Sequence, residues 1–153
     1  MASCRRSAMG REHIPAETIR RVWAAANSRC GYCLAPQRLV LASLQIEHLV
    51  PLAAGGTNDE SNLWLACPLC NGHKSSHTTG VDPQTGTAIP LFHPRTQVWD
   101  EHFEWADDGL RILGKTLTGQ ATVAVLQLDC DPVALEVRGY WVLAGWHPPA
   151  AGT

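Results

Sequence analysis

Glu47 and His48 stand side by side, Asn62 follows 14 residues after His48, and Asn71 comes 9 residues later. Two CxxC pairs accompany this set. Cys30-Gly-Tyr-Cys33 precedes it, and Cys67-Pro-Leu-Cys70 lies inside it, directly against Asn71. A phosphodiester is anionic and repels nucleophiles. Its hydrolysis needs an activated water, a cation against the phosphate oxygens and help for the leaving oxygen. A histidine titrating near neutrality suits the base. Carboxylate and amide oxygens suit a hard divalent ion such as Mg²⁺ that keeps several waters. Adjacent strand residues face opposite sides, so a bend at the strand end would let Glu47 hold metal while His48 meets water.

The cysteines suggest a different site. Each CxxC pair can bind one tetrahedral ion from one side, and the second pair closes the shell. Cys30, Cys33, Cys67 and Cys70 are therefore expected to hold a structural zinc ion with no open position. Zinc binding of this kind contributes about 10–16 kcal/mol in small folds, enough to make folding metal-dependent. Redox pairs, disulfides or an iron–sulfur cluster are the other chemistries open to such cysteines. Cys4 and Cys130 are isolated and expected to be spectators.

These residues need elements to position them. Residues 14–26 predict a helix with Pro15 in its first turn and Ile19, Val22, Trp23 and Ala26 on one face. Leu44 to His48 alternates and predicts a strand that ends on the Glu-His pair. Leu63 to Ala66 predicts its partner, running into the second CxxC, and Asn71 to His77 predicts a short helix. Residues 79–94 are rich in Gly, Pro, Thr and Asp and predict a loop. His102 to Ala106 and Leu110 to Leu113, joined by Asp-Asp-Gly, predict a hairpin. Thr118 to Leu128 predicts a helix. Asp131, as N-cap to Pro132, opens another through Leu143. Residues from Gly145 onward are expected to fray. Trp99, Trp105, Trp141 and Trp146 are expected as core anchors, and His93, Arg95 and His102 as packing or surface residues.

A chain of 153 residues with 45% hydrophobic and 17% charged content predicts one globular domain. No apolar run approaches the roughly 20 residues of a membrane span. The first ten residues have no hydrophobic stretch of a secretory signal, which predicts a cytoplasmic protein whose cysteines stay reduced. The net charge of −2 is unevenly spread. Residues 1–46 carry seven Lys/Arg against two acidic side chains, whereas residues 82–153 carry four against nine. A basic front can touch a polyanion, although ordinary surface charge gives the same count. The small net charge speaks against a protein that coats nucleic acid nonspecifically.

Ile46-Glu47-His48-Leu49-Val50-Pro51-Leu52, then Gly55-Gly56, then Asn58 to Leu63, then Cys67-Pro-Leu-Cys70-Asn71 and Lys74 resemble the HNH endonuclease motif. The resemblance covers about residues 28–78. It implies an α+β fold: a ββα-metal (His-Me finger) core stapled by a four-cysteine zinc site. An N-terminal helix would precede that core and a hairpin-plus-helices extension over 79–147 would follow, with residues 1–12 as a flexible tail. It implies His48 as general base and Glu47 as ligand of a catalytic Mg²⁺ or Mn²⁺. Asn62 would brace the loop and orient the His48 ring. Asn71, where the family usually has its final His, would be the second metal ligand, as in HNN variants. Lys74 would contact phosphate. His73 or His77 could add a third ligand. The segments around Asp82 to Gly86, Pro90 to Phe92 and Trp99 to Phe103 resemble small bacterial stand-alone HNH proteins.

The expected function is thus a metal-dependent endonuclease, a hydrolase of phosphodiesters in nucleic acid, with DNA as the partner, leaving 5′-phosphate and 3′-hydroxyl ends. The alternative is a zinc-stapled nucleic-acid-binding module that does not cut. An intact Glu-His pair favours the enzyme, because a binding module does not need it.

Overall fold

The structure is a computed structural model and describes residues 13–150. The tail expected over residues 1–12, with Cys4, lies outside the described residues. Helix α1 (Ala16–Ala25) starts one residue after Pro15, which serves as its N-cap. Val22 and Ala26 are buried as the apolar stripe predicts, and Trp23 packs against the same core.

Strand β1 (Gln45–His48) pairs antiparallel with β2 (Leu63–Ala66), Glu47 opposite Trp64 and His48 opposite Leu63. Leu63 and Leu65, two apart on β2, are fully buried, which fixes the register of the pair. Helix α2 (Pro68–Lys74) follows directly. It begins inside the second CxxC pair, three residues earlier than expected. Cys67 is its N-cap, with Sγ accepting from the Cys70 amide, and Pro68 supplies the preset φ of the first turn. Strand, strand and helix form the expected ββα unit.

Residues 79–94 are not a loop. Strands β3 (Thr79–Val81) and β4 (Ala88–Pro90) form an antiparallel hairpin. Asp82 closes its turn, accepting from the Gln84 amide and the Thr85 hydroxyl, and Gly86 takes φ +71°. Three-residue strands are too short to show alternation in the sequence. A single turn, α3 (Trp99–His102), leads into the predicted hairpin, β5 (Phe103–Trp105) with β6 (Ile112–Gly114). Helices α4 (Leu117–Leu126) and α5 (Pro132–Leu143) are capped by the side chains of Thr116 and Asp131. No helix among the described residues is long and apolar enough to cross a membrane.

The last described residues depart from expectation, while residues 151–153 of the segment expected to fray lie outside the described residues. His147 is buried, edge-on to Trp105 at 4.3 Å and to Trp141 at 5.7 Å. The segment is held there rather than frayed. His147 takes the interior place, and Trp146 stands 57% exposed beyond the last turn of α5, so it anchors no core. Trp99, Trp105 and Trp141 do pack on the core. One buried cluster joins Val22, Tyr32, Leu65, Phe92, Phe103, Ile112 and Leu126, and so runs through the ββα unit and the extension alike.

Candidate active site and metal centre

The four cysteines meet where the turn after α1 touches the start of α2. All four are buried and their Sγ atoms lie within 4.8 Å of one another. Cys33 and Cys67 are 3.8 Å apart. A tetrahedral zinc with bonds near 2.3 Å places its sulfurs roughly 3.8 Å apart, so the cluster fits a zinc ion. None of the four is in a disulfide. Burial pushes the Cys30 thiol up, and hydrogen bonds to Cys30 and Cys33 push Cys70 up. Hydrogen bonds from Cys30 and Cys67 pull Cys33 well down. A cation among them would favour the thiolate throughout. Gly31 lets the first knuckle press on β2: a Cβ there would collide with the Trp64 indole, and its amide donates to Leu65 O. The extension braces the same knuckle, with Trp99 Nε1 donating to Tyr32 O at 2.8 Å. Arg95 stacks over Trp64 and donates to Leu63 O, a packing role. His102 likewise meets the Thr116 hydroxyl at 2.7 Å. Cys130 is exposed and is not part of the cluster.

Glu47, His48 and Asn71 line one open cavity of about 270 Å³, together with Ile46, Pro51, Leu52 and Ser75. The end of β1 supplies the first two and α2 the third. His48 and Asn71 are each held from one side, and Glu47 through both its oxygens. Asn71 Nδ2 donates to Gln45 Oε1 at 2.7 Å, which leaves the amide oxygen as its ligand end. His48 Nε2 lies 2.7 Å from Asn58 Oδ1. Glu47 is only 3% exposed, and its Oε2 accepts from the Tyr32 hydroxyl at 2.8 Å. Its Oε1 makes no well-aligned hydrogen bond, yet the Lys74 ammonium pairs with it at 2.5 Å. Burial pushes the Glu47 carboxyl up, and Lys74 and Tyr32 pull it back. Burial and the Glu47 charge push Tyr32 well up, so its hydroxyl stays a donor.

Three expected roles are corrected by this geometry. Lys74 is 2% exposed, with its ammonium between Glu47 and the carbonyls of His48 and Leu49. It ties α2 to the end of β1 and has no face to offer phosphate. His73 turns away from the cavity to pair with Asp131 at the head of α5, at 2.8 Å. His77 is exposed and its Nδ1 bonds Lys74 O, and neither histidine lines the cavity. Among the described residues, only the four cysteines form a group of three or more His, Cys, Asp or Glu close enough to share an ion. Asn62 bonds the backbone of Val50 and Thr57, and its side chain does not touch the His48 ring. Tyr32, Gln45 and Asn58 escaped the sequence reading. Asn58 follows Gly-Gly-Thr, which reads as turn chemistry, and nothing in its spacing marks it as a partner of His48.

Asn71 Oδ1 and, only at the expense of its pairing with Lys74, Glu47 would offer two oxygens, a set that suits an ion keeping most of its own waters, such as Mg²⁺, better than one needing a full protein shell. Glu47 would share its charge between that ion and Lys74.

Comparison with curated proteins and with solved structures gives no match. The family model described as HNH endonuclease matches residues 30–77, from the first zinc-type cysteine to the end of the ββα unit. With the hairpin, the helix and the clustered cysteines all inside it, this segment matches the HNH endonuclease family model in both pattern and fold.

Proposed function

We infer that the chain is a metal-dependent endonuclease that hydrolyses phosphodiester bonds in DNA. The observation that carries the reading is the convergence of Glu47, His48 and Asn71 on one open cavity. His48 takes a proton from the attacking water, which bonds to phosphorus as the bond to the 3′ oxygen breaks. Asn71, fixed through Gln45, and Glu47 would hold a Mg²⁺ or Mn²⁺ ion. When bound, that ion would neutralise phosphate and leaving oxygens. Tyr32 and Lys74 keep the Glu47 carboxylate in place. The zinc cluster has no part in the chemistry, because four sulfurs leave no open position. Four free thiols suit the reducing cytoplasm, where we place the protein.

The test is nicking of supercoiled plasmid with Mg²⁺ or Mn²⁺. His48→Ala is expected to lower the rate about 10²–10⁴-fold with an unchanged melting temperature. Equal cleavage by His48→Ala would remove His48 as the base. The Lys74–Glu47 ion pair favours a second reading, a module that binds DNA without cutting, since the carboxylate is already neutralised. Tight duplex binding with no nicking in any divalent ion would select it.

A further inference from the structure

Asn62 spends all its side-chain bonds on the loop after β1. Its Oδ1 accepts from Val50 N at 2.8 Å, and its Nδ2 donates to Val50 O and Thr57 O, each at 2.9 Å. These bonds clip residues 50 and 57 together. Gly56 makes the close approach possible, since a Cβ there would collide with the Val50 carbonyl. The residue after the clipped Thr57 is Asn58, and its carboxamide oxygen faces His48 Nε2 at 2.7 Å.

The geometry points to Asn58 as the positioning residue of His48, with Asn62 acting on the ring only through the loop that carries Asn58. The catalytic consequence rests on the nuclease reading above. A carboxamide oxygen only accepts, so Nε2 must carry the hydrogen. The lone pair then sits on Nδ1, and Nδ1 is the nitrogen that takes the proton from water. The other tautomer would place a hydrogen where the proton must arrive. Asn58 also fixes the ring without adding negative charge beside an anionic substrate, as an aspartate would. It is half-buried in a loop, so its replacement leaves the core intact.

Two-bond ¹H–¹⁵N spectra of labelled protein at pH 8, with the His48 signals assigned from their loss in His48→Ala, read the tautomer directly. The wild type is expected as Nε2–H. Asn58→Ala should lose that preference and drop kcat about 10–100-fold, with KM within roughly twofold. Asn58→Asp, whose carboxylate also accepts, should keep the tautomer and recover most of kcat. A wild-type ring protonated on Nδ1, or an Asn58→Ala variant with unchanged tautomer and kcat, overturns the proposal. A wild type that shows the Nε2–H tautomer and cuts nothing leaves the positioning intact and removes the nuclease reading instead.

Discussion

The N-cap and first turn of α2 and the residue that follows them belong to two sites of opposite kind. Cys67 and Cys70 join two like donors from the other knuckle in a closed, buried group whose four sulfurs would fill a tetrahedral ion's shell. Asn71 begins the other surface, where three unlike groups share an open cavity. Two of these are held on one side and free on the other, His48 by Asn58 and Asn71 by Gln45, whereas Glu47 is held through both oxygens by Tyr32 and Lys74. The Asn71 amide donates to Cys67 O at 2.9 Å, so the closed group sets the backbone of the open one. A saturated site stabilises, and a partly committed one can react. Helix α2 and its N-cap contribute to both.

The largest effect should come from breaking the closed group. Cys70→Ser removes one of four donors, and zinc binding worth about 10–16 kcal/mol is comparable to the whole stability of a domain. The variant is expected to lose bound zinc, one ion per chain in the wild type by native mass spectrometry, and its cooperative melting transition by circular dichroism. A Cys70→Ser protein that melts like the wild type without zinc would end the distinction between the two sites.

A smaller loss should follow from unbalancing the cavity side. Lys74→Met leaves the Glu47 carboxylate buried without its cation, a change that costs about 3–5 kcal/mol in comparable buried pairs. Urea denaturation at pH 7 should show it. The penalty should shrink toward pH 5, because the variant's carboxyl titrates higher when folded than unfolded, and protonation then favours the folded chain. Lys74→Met combined with Glu47→Gln should regain much of the loss. An unchanged denaturation midpoint in Lys74→Met would return Lys74 to the role of a solvated phosphate contact.

Sequence spacing made the ββα unit and the cysteine cluster legible, because metal ligands and paired strands impose fixed separations. It made the cavity residues legible only as types. Which of them meet depends on side-chain direction: Lys74 and His73 are neighbours in sequence, yet one points under β1 and the other to α5. The β3–β4 hairpin was hidden because its strands are three residues long and its turn residues read as loop. His147 was hidden for another reason. A Gly-Trp-His-Pro-Pro end carries no periodicity, and only the aromatic pocket of Trp105 and Trp141 decides which of its two rings goes inside.

That pocket extends the comparison to a third region, with the smallest expected effect. Burial, assisted by the nearby Arg138 charge, lowers the His147 pKa to about 4. Its unfolded value is about 6.5. Between these values the unfolded chain binds the proton first, so stability is complete above about pH 6.5 and falls as pH drops toward 4. The full shift corresponds to roughly 3 kcal/mol; solvent in the adjoining cavity beside Arg29 and Arg38 should screen it to about 1–2 kcal/mol. His147→Phe keeps the aromatic stack and should flatten the slope over this range. Thiolate protonation also weakens zinc binding in acid, but it does so equally in both proteins, so the difference between their urea midpoints at pH 4.5 and 7 isolates the ring. If the two slopes coincide, His147 is not held neutral by its pocket. If they differ within a single unfolding transition that also releases zinc, the extension and the cysteine cluster unfold as one cooperative unit, and the stabilising half of the molecule reaches well beyond the four sulfurs.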